Sequence, residues 1–404
     1  MDRASAEVVA DARFSSGARG QGAHAPARFY LPELDLLRFL AWLTIFLQHI
    51  YQETPAHHFP DFHPDWVGRA VGILGWSGGY SIDLFLALSA FLITQLMIRE
   101  QQVTGTVDLR RFYIRRILRI WPLYFSYVLV IAVAGIWIAS MHASAKWLIM
   151  ATLLSSNIAN SLWGWTPAFV VSHLWTISIE EQFYLLWPLV VRRSQPSRLV
   201  LAALAMLAIS FTTRTICWFT NASGALVWTN TLTRLDPLAV GILLAVWMMG
   251  GGHYHRRMVS RVALLLFGIA TILVVATFCD PFWSPNSTAT IFFGYPAVAL
   301  GCGTILLAFC GMPLRENNPL IQVGIYLGKI SYGLYIWQMV ALVVVMKGLA
   351  RPLPLVGSWI DSATFIALCA FTLTVAMAAV SYRFLETPFL RLKSRFALIP
   401  SRPA

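Results

Sequence analysis

Ten apolar stretches, each long enough to cross a lipid bilayer, dominate this chain of 404 residues. A helix needs about 20 residues to cross roughly 30 Å of hydrocarbon. The stretches cover residues 34–51, 72–98, 117–139, 174–191, 199–219, 231–249, 262–279, 289–311, 330–347 and 362–383. Only 12% of the residues are charged, against about 25% in soluble domains. The sequence therefore predicts an all-α, polytopic membrane protein with about ten transmembrane helices, and it excludes a cytosolic enzyme.

The segment 147–171 is also apolar but is interrupted by Ser, Asn, Gly and Pro residues. It could be a short span, a re-entrant hairpin or an interfacial segment. If it does not span, most of the arginines and lysines between the stretches fall on one side of the membrane. Because basic loops stay in the cytosol, this model places both termini there. We interpret residues 1–29 as a disordered tail without a signal peptide, residues 30–393 as one membrane domain and residues 394–404 as a cytosolic tail.

The net charge of +12 would suggest a nucleic-acid partner in a soluble protein. Here the basic residues lie mostly in short loops, so membrane topology explains the charge and we expect no nucleic-acid partner. The five cysteines lie in or beside apolar runs and form no CxxC pair. Neither they nor the histidines have the spacing of a metal site, so we expect neither disulfides nor a bound metal.

Ionisable residues inside apolar stretches are costly and are candidates for function. Arg38 and His49 are eleven residues apart in the first stretch, so both lie on one helix face about 16 Å apart. His49 could be a buried structural imidazole or a functional base. Asp83 in the second stretch must pair or protonate, and a salt bridge that fixes helix packing explains it as well as a catalytic role does.

Two further stretches carry charged residues: arginines lie at the start of 117–139, and two adjacent carboxylates lie within 174–191. Arg115, Arg116 and Arg119 precede Pro122, where guanidinium groups suit phosphate, although membrane anchoring alone accounts for two or three of the arginines in this region. Glu180 and Glu181 point roughly 100° apart on a helix, so one could be functional and the other a packing partner. Further on, Arg234 and Asp236 are interpreted as a structural pair with a modest chance of lining a cavity.

Together these motifs resemble the acyltransferase 3 family of bacterial integral-membrane O-acyltransferases, over residues 30–393. The resemblance rests on five ordered elements. They are Leu34-Asp35-Leu36-Leu37-Arg38 with His49, the stretch 79–94 around Asp83-Leu84-Phe85, Arg115-Arg116-Ile117-Leu118-Arg119-Ile120-Trp121-Pro122, the box from Leu174-Trp175 to Pro188 with Glu180, and the closing elements 327–335 and Glu386-Thr387-Pro388.

The resemblance implies transfer of an acyl group, most simply acetyl, from cytosolic acyl-CoA to a hydroxyl of a glycan or glycosylated small molecule. His49 would be the general base or a covalent acyl relay, with Glu180 or Asp83 supporting it. Arg38, Arg115, Arg116 and Arg119 would bind coenzyme A. The candidates for substrate contacts are Asp35, Tyr124, Trp175, Arg234, Asp236, Ser331 and Tyr332. The expected setting is the bacterial cytoplasmic membrane, the lipid bilayer is a partner, and a homo-oligomer is left open.

Two features depart from the pattern of the family. Gln338 stands where many relatives have a His, and an amide can hydrogen-bond but cannot take a proton. About twenty residues follow Arg383, so we expect transfer to the acceptor without a further soluble domain.

The rival class is a secondary transporter for an anionic metabolite, since charged residues within spans also suit a carrier. No internal repeat supports that class, and coenzyme A binding separates it from the enzyme.

Overall fold

The computed structural model describes residues 29–53, 65–252, 257–279, 287–315, 317–349 and 363–399. Its α-helices, in chain order, are α1 Pro32–Glu53, α2 Asp65–Ser77, α3 Ser81–Thr104, α4 Leu109–Trp137, α5 Ala145–Thr152, α6 Ser156–Trp163, α7 Phe169–Ser172, α8 Trp175–Val191, α9 Pro196–Phe219, α10 Gly224–Thr229, α11 Leu235–Met249, α12 Met258–Phe278, α13 Tyr295–Phe309, α14 Pro319–Lys329, α15 Ser331–Leu349, α16 Ala363–Ser381 and α17 Thr387–Ser394. The described part of the chain contains no strand. The predicted N-terminal tail, apart from residue 29, and residues 400–404 of the C-terminal tail lie outside these residues.

Nine helical segments of the described chain are long and apolar enough to cross a membrane, which confirms an all-α polytopic membrane protein. They correspond to nine of the ten predicted stretches. The tenth, predicted at 174–191, is helix α8, whose 17 residues are close to the shortest length that spans. The last segment runs on as Thr364–Ser394 through a π-helical turn at Tyr382–Glu386, past the predicted end at residue 383.

The interrupted segment 147–171 folds as short helices and not as one span. Leu154 has a φ of 55° and Gly164 a φ of 79°, and both values end a right-handed helix. The polar residues of this segment tie it to the bundle. The Asn157 side-chain amide donates to the Thr231 hydroxyl over 2.8 Å, and the Gln182 amide donates to Asn157 Oδ1 over 3.0 Å.

Close backbone approach holds the bundle centre together. A Cβ added to Gly241 of α11 would lie 2.2 Å from the Ala87 carbonyl oxygen of α3, and one added to Gly328 of α14 would lie 1.7 Å from the Asp35 carbonyl oxygen of α1. Small residues at such crossings let membrane helices pack on each other without a side chain between them. Gly328 therefore fixes where the first turn of α1, with Asp35 and Arg38, sits against the rest of the bundle.

One end of the bundle, here called the basic end, is where α1, α4 and α12 begin and α3, α8 and α13 end. Three hydrogen bonds join segments at this end: Gln101 Nε2 donates to the Ser194 carbonyl over 3.4 Å, the Gly311 N–H to Glu33 over 2.8 Å, and Arg261 to the Cys310 carbonyl over 2.8 Å. In addition, the Arg99 guanidinium lies 4.3 Å from the Phe29 ring centroid. Most of the arginines of the predicted cytosolic loops lie at or near this end, including Arg110, Arg111, Arg115, Arg192 and Arg193.

Candidate active site

A cavity of about 190 Å³ lies between helices α1, α3, α4, α8, α15 and α17. Apolar side chains form most of its wall, including Leu86, Leu88, Ile93 and Ile177. Its polar lining contains seven of the fourteen residues that the sequence placed in a site: Asp35, Arg38, Arg116, Arg119, Glu180, Ser331 and Tyr332. Helices that are far apart in sequence therefore bring three of the four predicted cofactor-binding arginines, and Glu180 with them, to one place.

Arg38 is held at the cavity wall from its own helix. Its Nη1 atom lies 2.9 Å from Asp35 Oδ1, and the Tyr30 hydroxyl donates to Asp35 Oδ2 over 2.9 Å. The Asp35 side chain is 2% exposed while that of Arg38 is 19% exposed. The buried carboxylate thus fixes the direction of a guanidinium group that remains accessible from the cavity, so Asp35 positions Arg38.

Arg116 is the arginine best placed to bind a ligand in the cavity. It projects from α4 into the cavity, and its guanidinium lies 5.6 Å from the Phe112 ring centroid and 5.4 Å from that of Tyr184. Its Nε atom is buried without a hydrogen-bond partner. A buried donor without a partner is unfavourable, and an anion bound in the cavity would remove that cost.

Arg115 faces away from the main cavity. Its Nη2 atom lies 3.0 Å from Glu100 Oε2, and Nη1 donates to the Phe396 carbonyl oxygen over 2.9 Å. It lines a smaller pocket at the basic end, which shares Arg116 and Lys393 with the main cavity. The structure therefore gives Arg115 a connection to the C-terminal segment, in contrast to the cavity position of Arg116 and Arg119.

The two adjacent carboxylates of α8 differ as their 100° offset predicts. Glu180 lines the cavity, the hydroxyls of Ser89 and Tyr184 lie at its carboxylate, and Arg38 and Arg116 interact with it electrostatically. Glu181 instead accepts the Trp121 indole N–H over 3.0 Å. The described contacts of Glu180 are with arginines and hydroxyls, whereas the sequence predicted that Glu180 supports His49.

His49 lies beyond the end of the cavity that is furthest from the arginines. The cavity follows one face of α1 through Arg38 and Ile45, and His49 is one turn further along this helix. Its Nδ1 atom is buried without a hydrogen-bond partner, and its ring interacts electrostatically with that of His173. Between the cavity and His173 stands Tyr335, which hydrogen-bonds to the Thr176 hydroxyl at 2.7 Å and to the His173 carbonyl oxygen at 3.0 Å.

Two predicted substrate contacts are packed away from the cavity lining. The Tyr124 hydroxyl donates to the Ala151 carbonyl oxygen over 2.8 Å and is fully buried, and Trp175 is also buried. Ser331 and Tyr332 do line the cavity, where the Tyr332 hydroxyl donates to the Ile120 carbonyl oxygen over 3.0 Å.

Asp83, Arg234 and Asp236 form a separate buried cluster with Arg214, away from the cavity lining. Arg234 Nη2 lies 2.8 Å from Asp83 Oδ2, and Arg214 Nη2 donates to Asp236 Oδ1 over 3.0 Å. Arg234 and Asp236 thus each pair with another helix and not with each other. Asp83 is placed in the salt bridge that the sequence analysis kept as an alternative to catalysis.

Several residues of the site were missed by sequence reasoning. Lys393 of α17 lines both pockets, Ser89 and Tyr184 bracket Glu180, and His173 adjoins His49. Arg214 carried a signal, since it is a lone cation inside the fifth apolar stretch. Lys393 carried no such signal, because basic residues commonly follow a transmembrane span. Among the described residues, no group of three or more His, Cys, Asp and Glu side chains could hold a metal ion.

Comparison with known proteins assigns the family. A family model described as an acyltransferase domain matches residues 31–381. O-acetyltransferase OatA from Staphylococcus aureus strains NCTC 8325 / PS 47, COL and MRSA252 is 27% identical over 404 residues, which cover 92% of this chain and 59% of the relative. The chain thus spans less than two thirds of the length of these curated relatives. No solved structure matches the chain. Because the family model covers most of its length, the chain belongs to the acyltransferase 3 family.

Proposed function

We propose that this chain is a membrane O-acetyltransferase that moves an acetyl group from cytosolic acetyl-CoA to a hydroxyl of a glycan or glycosylated acceptor. One observation carries the proposal. A single cavity joins Arg38, Arg116, Arg119 and Lys393 at the basic end, and it continues along the face of α1 that leads to His49. The family assignment and the name of the relative OatA support the same class of reaction.

The donor would bind with its phosphates among the four cations. Guanidinium groups bind phosphate through two parallel hydrogen bonds, and lysine adds a point charge. The unpartnered Arg116 Nε supplies one donor that a phosphate oxygen would satisfy. The apolar wall beyond the arginines suits the thin pantetheine arm, which would carry the thioester towards His49. Glu180 would hold Arg38 and Arg116 in place between donor molecules.

His49 would remove the proton from the acceptor hydroxyl. The hydroxyl oxygen then attacks the acyl carbon, the carbon–sulfur bond breaks, and the coenzyme A thiolate takes the proton back from His49. In the alternative that the sequence analysis left open, an imidazole nitrogen attacks first and carries the acyl group to the hydroxyl in a second step. Both routes need His49 and consume one acetyl-CoA for each ester formed.

The proposed setting is the bacterial cytoplasmic membrane with both termini in the cytosol. The accumulation of arginines at the basic end supports this orientation, because positively charged loops remain cytosolic. The phosphate end of the cavity would then open where acyl-CoA is made. The acceptor would approach from the outer side, near the end of α1 that carries His49.

Transfer of radiolabel from acetyl-CoA tests the proposal directly. Membranes containing the wild type, His49→Ala, Arg116→Ala or the exposed control Arg110→Ala are incubated with labelled acetyl-CoA, and extractable glycan is counted. We expect label with the wild type and Arg110→Ala, none with His49→Ala and a strong reduction with Arg116→Ala. Label trapped on the wild-type protein in the absence of acceptor would favour the relay.

Two outcomes would contradict the proposal. Full transfer by a normally expressed His49→Ala variant would remove His49 from the reaction. Absence of both coenzyme A-dependent label and coenzyme A binding with the wild type would favour the transporter for an anionic metabolite.

A further inference from the structure

We propose that the smaller pocket at the basic end binds a phosphate monoester, the 3′-phosphate of coenzyme A, and thereby makes the protein select coenzyme A donors over their dephospho forms. The inference rests on the proposed function and deepens it, because it gives one phosphate group of the donor a place of its own. It is carried by the connection of this pocket to the main cavity, by its charge and by its size.

The smaller pocket is a side branch of the main cavity. Four residues line both spaces: Ile93, Leu96, Arg116 and Lys393. The rest of its lining comes from the last part of α3, the first part of α4 and the chain after α17. Because α3 ends and α4 begins at the basic end, the pocket lies on the side of the main cavity from which cytosolic acyl-CoA would enter.

The lining of the pocket carries an excess of two positive charges. Arg115 Nη2 lies 3.0 Å from Glu100 Oε2, so this pair is neutral. Arg116 and Lys393 supply the excess, since the described lining contains no second carboxylate. A phosphate monoester carries nearly two negative charges at neutral pH, whereas each phosphoryl group of the coenzyme A diphosphate bridge carries one. Of the phosphate groups of the donor, the 3′-phosphate therefore matches the charge of the pocket.

Arg116 stands between the two spaces. Its guanidinium lies 5.6 Å from the ring centroid of Phe112, which lines the smaller pocket, and 5.4 Å from that of Tyr184, which lines the main cavity. Glu180 interacts with Arg116 from the main cavity, and the buried Nε atom has no hydrogen-bond partner. A guanidinium group carries its N–H donors in a fixed fork, so it can contact two anionic groups at once. In coenzyme A the 3′-phosphate and the diphosphate are attached to the same ribose, and Arg116 is placed to bind both.

The size of the pocket suits a single phosphate group. Its volume is about 40 Å³, and a buried water needs roughly 10–15 Å³, so the pocket admits a group equivalent to a few waters. A phosphate monoester presents its terminal oxygens as hydrogen-bond acceptors within such a space. Much of the remaining wall is apolar and includes Met97, Phe112 and Ile399. Low polarity around the pocket strengthens the attraction between the phosphate and the two cations.

Arg115 shapes the pocket, whereas Lys393 contacts the phosphate. Arg115 Nη1 donates to the Phe396 carbonyl oxygen over 2.9 Å, which holds the chain after α17 against α4. Phe396 follows Lys393 by three residues, so this contact keeps the lysine at the wall of the pocket. Because Glu100 and Phe396 already engage the guanidinium of Arg115, it is a positioning residue. Lys393 carries the discrimination between the two forms of the donor.

Calorimetric titration with coenzyme A and with dephospho-coenzyme A, which lacks only the 3′-phosphate, tests the inference without an acceptor. The titrations use the purified full-length wild type, Lys393→Gln and the exposed control Arg391→Gln. We expect the wild type to bind coenzyme A about 10- to 100-fold more tightly than the dephospho form, the effect of a hydrogen bond between charged groups. Lys393→Gln should weaken coenzyme A binding by about tenfold and dephospho-coenzyme A binding by less than about threefold. Arg391→Gln should leave both affinities within about twofold of the wild type.

Two results would overturn the inference while leaving the proposed function intact. One is a wild type whose affinities for the two ligands agree within about threefold. The other is equal weakening of both ligands in Lys393→Gln, which is the effect of losing a purely structural residue. If that variant does not fold, competition decides. Adenosine 3′,5′-bisphosphate should then displace coenzyme A from the wild type at a concentration at least about tenfold lower than adenosine 5′-diphosphate, and equal displacement would count against the inference. A wild type that binds neither form of coenzyme A would instead remove the proposed function itself.

Discussion

Arg234 donates a hydrogen bond to Asp83 Oδ2 over 2.8 Å, and both side chains are more than 95% buried. The guanidinium of Arg234 lies over the Trp228 ring at 4.6 Å, and that of the neighbouring Arg214 lies over the Tyr295 ring at 5.0 Å. Two arginines and two aspartates therefore balance one another inside the bundle. In this cluster Asp83 joins α3 to the start of α11 and does not line the cavity.

Replacing Asp83 should lower the stability of the protein but should leave acetyl transfer by the folded protein near normal. Asp83→Ala leaves a buried arginine without its partner, which costs about 3–5 kcal/mol. We expect a clearly lower melting temperature in detergent, and near-normal transfer per folded molecule where the protein survives. The double variant Asp83→Leu with Arg234→Met should recover much of the stability. Loss of transfer in an Asp83→Asn variant that melts normally would return Asp83 to the reaction.

Arg115 and Arg116 are adjacent in sequence but should respond differently to substitution. Hydrogen bonds to charged groups contribute about 1.5–3 kcal/mol, so Arg116→Ala should raise the KM for acetyl-CoA by about 10- to 100-fold. Arg115→Ala should mainly lower the melting temperature, because it breaks the contacts with Glu100 and the Phe396 carbonyl. Steady-state kinetics and thermal melts of both variants test this. Equal KM effects would place both guanidinium groups on the donor.

Glu180 and Glu181 form a second matched pair. Glu180→Gln removes the negative charge beside Arg38 and Arg116 but can still accept hydrogen bonds from the neighbouring hydroxyls. We expect kcat/KM for acetyl-CoA to fall by about tenfold, equivalent to 1.4 kcal/mol. Glu181→Gln should change it by less than about threefold, because glutamine can still accept the Trp121 indole N–H. A larger effect at Glu181 would reverse the assignment of the two carboxylates.

Gly241 should tolerate no side chain. A Cβ there would lie 2.2 Å from the Ala87 carbonyl oxygen, whereas one added to Gly348 meets nothing within 4 Å. Gly241→Val must push α11 away from α3, so we expect destabilisation of at least about 2 kcal/mol, in the range for overpacked cores. Gly348→Val serves as the control and should cost less than about 1 kcal/mol. Melting temperatures of the two variants that differ by less than a few degrees would contradict the close approach.

Hydropathy was enough to predict nearly all spans, because long apolar stretches leave a chain in lipid few alternatives to helices. It could not predict where the last span ends. Arg383, Glu386 and Pro388 resembled the end of a helix, yet the π-helical turn carries the chain on into α17. The polar residues of the site were found because charge inside a span is rare.

The partners of those charges could not be read from the sequence. Arg234 and Asp236 are two positions apart, which points them to opposite sides of a helix. Their partners are Asp83, 151 residues away, and Arg214, 22 residues away. Ser89 and Tyr184 were hidden for the opposite reason, since a serine and a tyrosine in an apolar helix are common and acquire meaning only beside Glu180.

The cavity has walls from opposite ends of the chain, with Asp35 and Arg38 on α1 and Lys393 on α17. During synthesis Arg38 is made 355 residues before Lys393. The proposed phosphate site is therefore complete only after α17 has been made and has packed onto α4. A nascent chain that has not reached α17 keeps Arg38 and His49 but lacks one cation of the proposed donor site, so the proposed binding of acetyl-CoA requires synthesis through Lys393.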